Sequence, residues 1–86
     1  MTKGILSGSQ IRAARALLKW SATDLAAQAA LGVNTIRRAE VQEKTSLTTA
    51  NESAIRRALE SAGVEFIDEN GGGPGVRLRK RQPKKG

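Results

Sequence analysis

In the stretch AALGVNTIRRAE, residues 29–40, a helical pattern halts at Leu31-Gly32 and restarts at Val33 without room for a loop. Two helices joined by so short a corner must cross steeply and share one core. Leu25, Ala26 and Ala29 supply an apolar face before the break, and Ile36 and Ala39 supply one after it. Where the helices touch, Ala26 provides the small side chain that a close crossing needs. Leu31 is expected in the core and Gly32 at the N-cap of the restarted helix, which runs over roughly Val33–Val41. The rest of the chain has to complete this helical corner.

Ser7 followed by Gln10 has capping-box spacing and opens a first helix. Ile11, Ala14, Leu17 and Leu18 form its apolar face, Arg12, Arg15 and Lys19 lie largely off it, and it is expected to end near Trp20. Ser21, with Asp24 three residues on, is a second N-cap. The polar run Gln42–Leu47 reads as a loop. A fourth helix starts near Thr48 or Thr49, with Thr49 and Glu52 as a further capping box. Its apolar face is Ala54, Ile55, Ala58, Leu59 and Ala62, and Gly63 is the C′ residue that ends it.

Beyond Gly63 the periodicity changes. Val64–Ile67 and Val76–Arg79 are short β-prone runs around the loop Asp68–Gly75, which predicts a β-hairpin. The expected fold is therefore mainly α: a four-helix domain with a helix-turn-helix corner over 1–63, a C-terminal hairpin over 64–81, and a disordered basic tail over 82–86. One Trp, one Phe and no Tyr leave the core to aliphatic side chains. Trp20 is expected in that core rather than as a stacking platform, since a single-strand binder presents several aromatics.

Composition narrows the chemistry. With no Cys and no His, disulfides, thiol catalysis, a Ser-His pair and the commonest metal ligands are excluded, and neither an enzyme nor a cofactor is expected. The glycine run before Val76 lacks the spacing of a phosphate loop or a dinucleotide site. Asp68-Glu69-Asn70 lacks the later glutamate of a calcium loop, Arg79 standing in its place. No signal peptide or membrane span is visible, so a soluble cytoplasmic protein is expected. The net charge is +7, and six of the 15 basic residues lie from Arg77 onward, leaving nine against eight acidic residues elsewhere. That balance favours a polyanionic partner.

The segment RAARALLKWSATDLAAQAALGVNTIRRAE, Arg12–Glu40, resembles the XRE family of bacterial and phage regulators, whose domain is like that of the lambda and 434 repressors. The resemblance covers about the first two thirds of the chain. It implies that the third helix lies in the major groove of double-stranded DNA, with Val33, Asn34, Thr35, Arg37 and Arg38 toward the base edges. Their chemistry suits the role, because Asn can pair with adenine, Arg with guanine, and Val or Thr can touch the thymine methyl. Ser21, Thr23, Gln42, Lys44 and Thr45 are candidate phosphate contacts, which position without specifying. The resemblance also implies an ion pair between Arg15 and Glu40. Three positions depart from the family pattern: Ala30 where a turn glycine is usual, Ala22 where a phosphate-contacting glutamine is usual, and Glu52 at a commonly apolar place.

A thin core and an open sheet edge make a homodimer the expected state, with two reading helices matched to a palindromic operator. Val64 and Phe66 share one face, as do Val76 and Leu78, and those four could pack on the fourth helix or against a second subunit. The expected function is a sequence-specific transcriptional regulator, a small dimeric repressor. The alternative is a protein-interaction module, an antitoxin or anti-activator with a protein partner and secondary DNA binding.

Overall fold

Capping chemistry sets the helix boundaries. The computed structural model describes residues 6–41, 48–67 and 72–79. Within them run α1 (Gly8–Leu18), α2 (Ala22–Ala29), α3 (Val33–Val41), α4 (Thr49–Ser61), β1 (Val64–Ile67) and β2 (Gly75–Leu78), so the chain is mainly helical and closes with a hairpin. Ser7 and Gln10 form the expected capping box: Ser7 Oγ accepts from Gln10 N at 3.1 Å and Gln10 Oε1 accepts from Ser7 N at 3.1 Å. Ser21 and Asp24 repeat the arrangement at α2, at 3.0 and 2.9 Å. The loop 42–47 and the tail 82–86 lie outside the described residues.

The first two helices end with one shared geometry. α1 stops at Leu18, two residues before Trp20, because Lys19 turns left-handed with φ 59°. Lys19 N then donates to Ala16 O and Trp20 N to Arg15 O, at 3.1 and 2.9 Å. At the end of α2, Ala30 occupies the expected turn position with φ 58°. Ala30 N donates to Ala27 O and Leu31 N to Ala26 O. Both are Schellman ends, in which the residue after the left-handed one carries an apolar side chain back onto its helix. Trp20 and Leu31 do this, half-buried against the core. Glycine usually signals such a turn, and here a lysine and an alanine make it. Gly63, with φ 111°, ends α4 as expected.

Ala30 is exposed and sits where a Cβ is strained, so Ala30→Gly is expected to raise stability by about 0.5–1 kcal/mol. A thermal melt checks this; a lower melting temperature would show that the greater freedom of glycine in the unfolded chain outweighs the relieved strain.

The core joins Leu6, Ile11, Ala14, Leu25, Ala26, Ala29, Ile36, Ala39, Ile55, Leu59 and Val64, so every element contributes except β2, whose Val76 packs against its edge. Leu17, expected on the inner face of α1, is 40% exposed. The buried face of α1 is centred on Ile11 and Ala14, with Leu18 packed against the core one turn on. Leu17 falls at the margin of that face, a quarter turn from its centre. Gln10 is buried near the same margin, where its Nε2 donates to Gly75 O at 3.1 Å and so ties the start of α1 to β2.

Two further expectations are corrected at α4 and β1. Thr48, not Thr49, is the N-cap, accepting from Asn51 N at 3.0 Å. Glu52 is thereby released from any capping box, and its carboxylate instead accepts from Leu6 N at 2.9 Å. Arg56 lies 3.8 Å from the same carboxylate, which accounts for a charged residue at this half-buried place. Arg56 also lies over the Phe66 ring, 5.3 Å from its centroid, a cation–π contact between α4 and β1. Val64, a candidate dimer residue, is fully buried in its own chain and cannot touch a second copy. The hydrophobic core thus runs past the expected 63/64 boundary.

β1 and β2 pair antiparallel, with Val64 opposite Leu78, Glu65 opposite Arg77, Phe66 opposite Val76 and Ile67 opposite Gly75. Glu65 and Arg77 form an ion pair of 2.7 Å on the outer face. Among the described residues no helix is long and apolar enough to cross a membrane.

Candidate nucleic-acid interface

The outward face of α3 follows from what its inward face must do. Ile36 and Ala39 fill the core, and Glu40 is buried beside them at 6% exposure. A carboxylate there needs a partner, and Arg15 on α1 meets it with two bonds, Nε to Oε2 at 2.6 Å and Nη2 to Oε1 at 2.9 Å. The third donor of the fork, Nη1, reaches Trp20 O at 2.9 Å. The expected Arg15–Glu40 pair is therefore present, and the guanidinium also braces the corner between α1 and α2. Hydrogen bonding to Glu40 raises the Arg15 pKa, desolvation opposes that, and the carboxylate's charge adds to it.

Sequence reasoning misses Arg12, whose guanidinium donates to Glu40 O at the end of α3. A cation on the last carbonyls of a helix also suits the negative end of its dipole. Gly8 completes this junction: a Cβ there would meet the Glu40 carbonyl, with Ala39 O at 2.8 Å. The start of α1 thus grips the last turn of α3 through Gly8, Arg12 and Arg15. The signal for Arg12 is its spacing, one turn before Arg15; Gly8 carries no signal, since a glycine beside an N-cap reads as ordinary.

With Glu40 turned inward, the outer face of α3 carries Asn34, Arg37, Arg38 and Val41, all exposed and spaced i, i+3, i+4, i+7. The side chains of Arg37 and Arg38 make no hydrogen bond or ion pair to a described residue, and neither does that of Asn34. Val41 is 73% exposed, the most exposed large apolar side chain described, where the sequence marks only a helix end. Thr35 is half-buried at the edge of this stripe. Val33 packs half-buried against the core, so only part of it faces outward.

Ser21 and Thr23 are exposed at the start of α2. The capping box changes what that end offers an anion. Ser21 N and Asp24 N are already bonded, and the Asp24 carboxylate offsets the positive end of the dipole. Ser21 can still donate its hydroxyl proton. Gln42, Lys44 and Thr45 lie outside the described residues. Among the described residues no group of His, Cys, Asp and Glu could hold a metal ion, and no buried side-chain nitrogen or oxygen lacks a partner.

No protein-family model matches the chain, and no curated protein matches it.

Proposed function

We propose that the chain is a sequence-specific double-stranded DNA-binding transcriptional regulator of XRE type, a small repressor working in the cytoplasm, that reads the major groove with α3. The observation that carries this reading is the stripe Asn34, Arg37 and Arg38, exposed, without described partners and borne on a helix clamped by Arg12 and Arg15. Rigid presentation matters because base readout requires side chains held to a fixed register. α3 spans nine residues, and the diameter of a helix with its side chains, about 10–12 Å, suits a major groove about 12 Å wide. The resemblance of Arg12–Glu40 to XRE regulators and the basic composition support the same reading.

The test is a titration of the full chain on random genomic fragments, with sequencing of what is retained. A shared motif is expected. Retention without any common motif would count against the reading and favour a protein-interaction module. Arg38→Ala is expected to weaken binding to that motif by about 1–3 kcal/mol while leaving non-specific binding nearly intact. An equal loss on all sequences would reduce Arg38 to a phosphate contact.

A further inference from the structure

The hairpin has one edge whose chemistry can be read from a single bond. Arg79 N donates to Gly63 O at 2.7 Å. In an antiparallel ladder, hydrogen-bonded and non-hydrogen-bonded pairs alternate. With the register above, Glu65–Arg77 and Ile67–Gly75 are therefore the bonded pairs, while Val64–Leu78 and Phe66–Val76 are not. The N–H and C=O groups of Val76 and Leu78 must then point away from β1. No described strand takes them, since the sheet has only two.

Beside that edge lies an apolar groove of about 420 Å³ between α1 and β2, whose walls include Gln10, Ala13, Pro74, Gly75 and Val76. Leu78 is on the same face of the hairpin as Val64 and Phe66, but at its far end, and is 46% exposed. An open edge, a groove at one end and an exposed leucine at the other form a self-complementary set.

We propose that β2 pairs antiparallel with β2 of a second copy about a two-fold axis through Val76. In this register Val76 bonds Val76 of its twin, and Leu78 lies opposite Pro74. Pro74 lacks an N–H, so it accepts from Leu78 N and gives nothing back. The Leu78 side chain of each copy then falls at the groove of the other. On the outer face, Arg77 stands across from Gly75 of the twin. Centring the axis on Arg77 or Leu78 would instead oppose Arg77 to Arg77 or to Arg79, and like charges directly opposite are unfavourable. Centring it on Gly75 would oppose Arg77 to Gly73 but would set Val76 against Pro74, which has no N–H to give, so the register through Val76 is the one that both meets Arg77 with a glycine and keeps the full Val76–Val76 exchange. A two-fold pairing of this kind closes on itself and leaves no further edge of β2 open. It also fixes two copies of α3 relative to each other, which an inverted-repeat site would match.

The mass of the full chain without DNA tests this independently of any DNA binding. Light scattering is expected to give twice the 9.1 kDa chain mass at micromolar concentration. Leu78→Lys is expected to give a monomer with unchanged far-ultraviolet circular dichroism. Position 75 tests the register: a Cβ there meets nothing closer than Ile67 Cδ1 at 3.8 Å, so the fold accommodates a side chain. Gly75→Lys faces Arg77 of the twin and should raise the dimer dissociation constant roughly two- to thirty-fold, from two symmetric pairs. Gly75→Glu faces the same arginine and should lower it by a similar factor. A monomeric parent chain, or a dimer unmoved by Leu78→Lys, would overturn the interface. Shifts of the same sign for lysine and glutamate at 75 would overturn the register.

Discussion

Replacing Arg15 by alanine is expected to lower the unfolding free energy by about 3 kcal/mol, the lower end of what breaking a buried pair costs. The Glu40 side chain is 8% exposed and receives two of the three Arg15 bonds, so the variant strands a carboxylate in the core. It also leaves Trp20 O without its donor. Arg15 itself is 22% exposed, which keeps the figure from the top of the range. For a domain of this size the loss corresponds to a fall of roughly 12–24 °C in melting temperature. Arg15→Lys restores the charge but not the fork, and should recover only part of the loss. The raised Arg15 pKa contributes stability that is complete below the ordinary arginine value and is lost only as pH climbs through the higher folded value. Deprotonation of Arg15 therefore adds no pH dependence around neutrality. An unchanged melting temperature would show that Glu40 finds water or another donor, and that the clamp on α3 is not needed.

The residues that make this clamp were legible to different degrees. Capping residues, apolar spacing and β-prone runs are local, and they located the four described helices and the hairpin. The end of α1 was harder, because the left-handed turn at Lys19 is imposed by the apolar residue that follows it rather than by a preference of lysine. Glu52 was misjudged because its partner, Leu6 N, is distant in sequence. Val33 and Val41 pose a similar problem. Both are valines on one short helix, and only packing decides that Val33 is drawn toward the core while Val41 stays exposed beside Arg38. The stripe Asn34–Arg37–Arg38 was legible because it is what remains once Ile36, Ala39 and Glu40 are assigned inward.

Gly8 lay beyond any such reading, and Gly8→Ala is the second variant with a large expected effect. Helix propensity alone favours the substitution, since alanine gains up to about 1 kcal/mol over glycine in a helix. Packing opposes it. The added methyl would meet the Glu40 carbonyl and lie 2.8 Å from Ala39 O, and backbone atoms cannot rotate aside as a flexible side chain would. α1 and the end of α3 would have to separate, which pulls Arg12 from Glu40 O and loosens the pair with Arg15. Overpacking of this kind costs about 1–3 kcal/mol, and the loosened bonds add to it, so a net loss of about 2 kcal/mol is expected. Gly32→Ala is the control: a Cβ there meets nothing within 4 Å, so it should cost only what alanine loses to glycine as an N-cap, about 0.5–1 kcal/mol. Under the proposed function Gly8→Ala should also weaken motif binding more than non-specific binding, because the displaced helix is the one that reads. A Gly8→Ala chain that melts at or above the parent temperature would mean that α1 and α3 can part without cost, and the rigid presentation of Asn34, Arg37 and Arg38 would lose its structural basis.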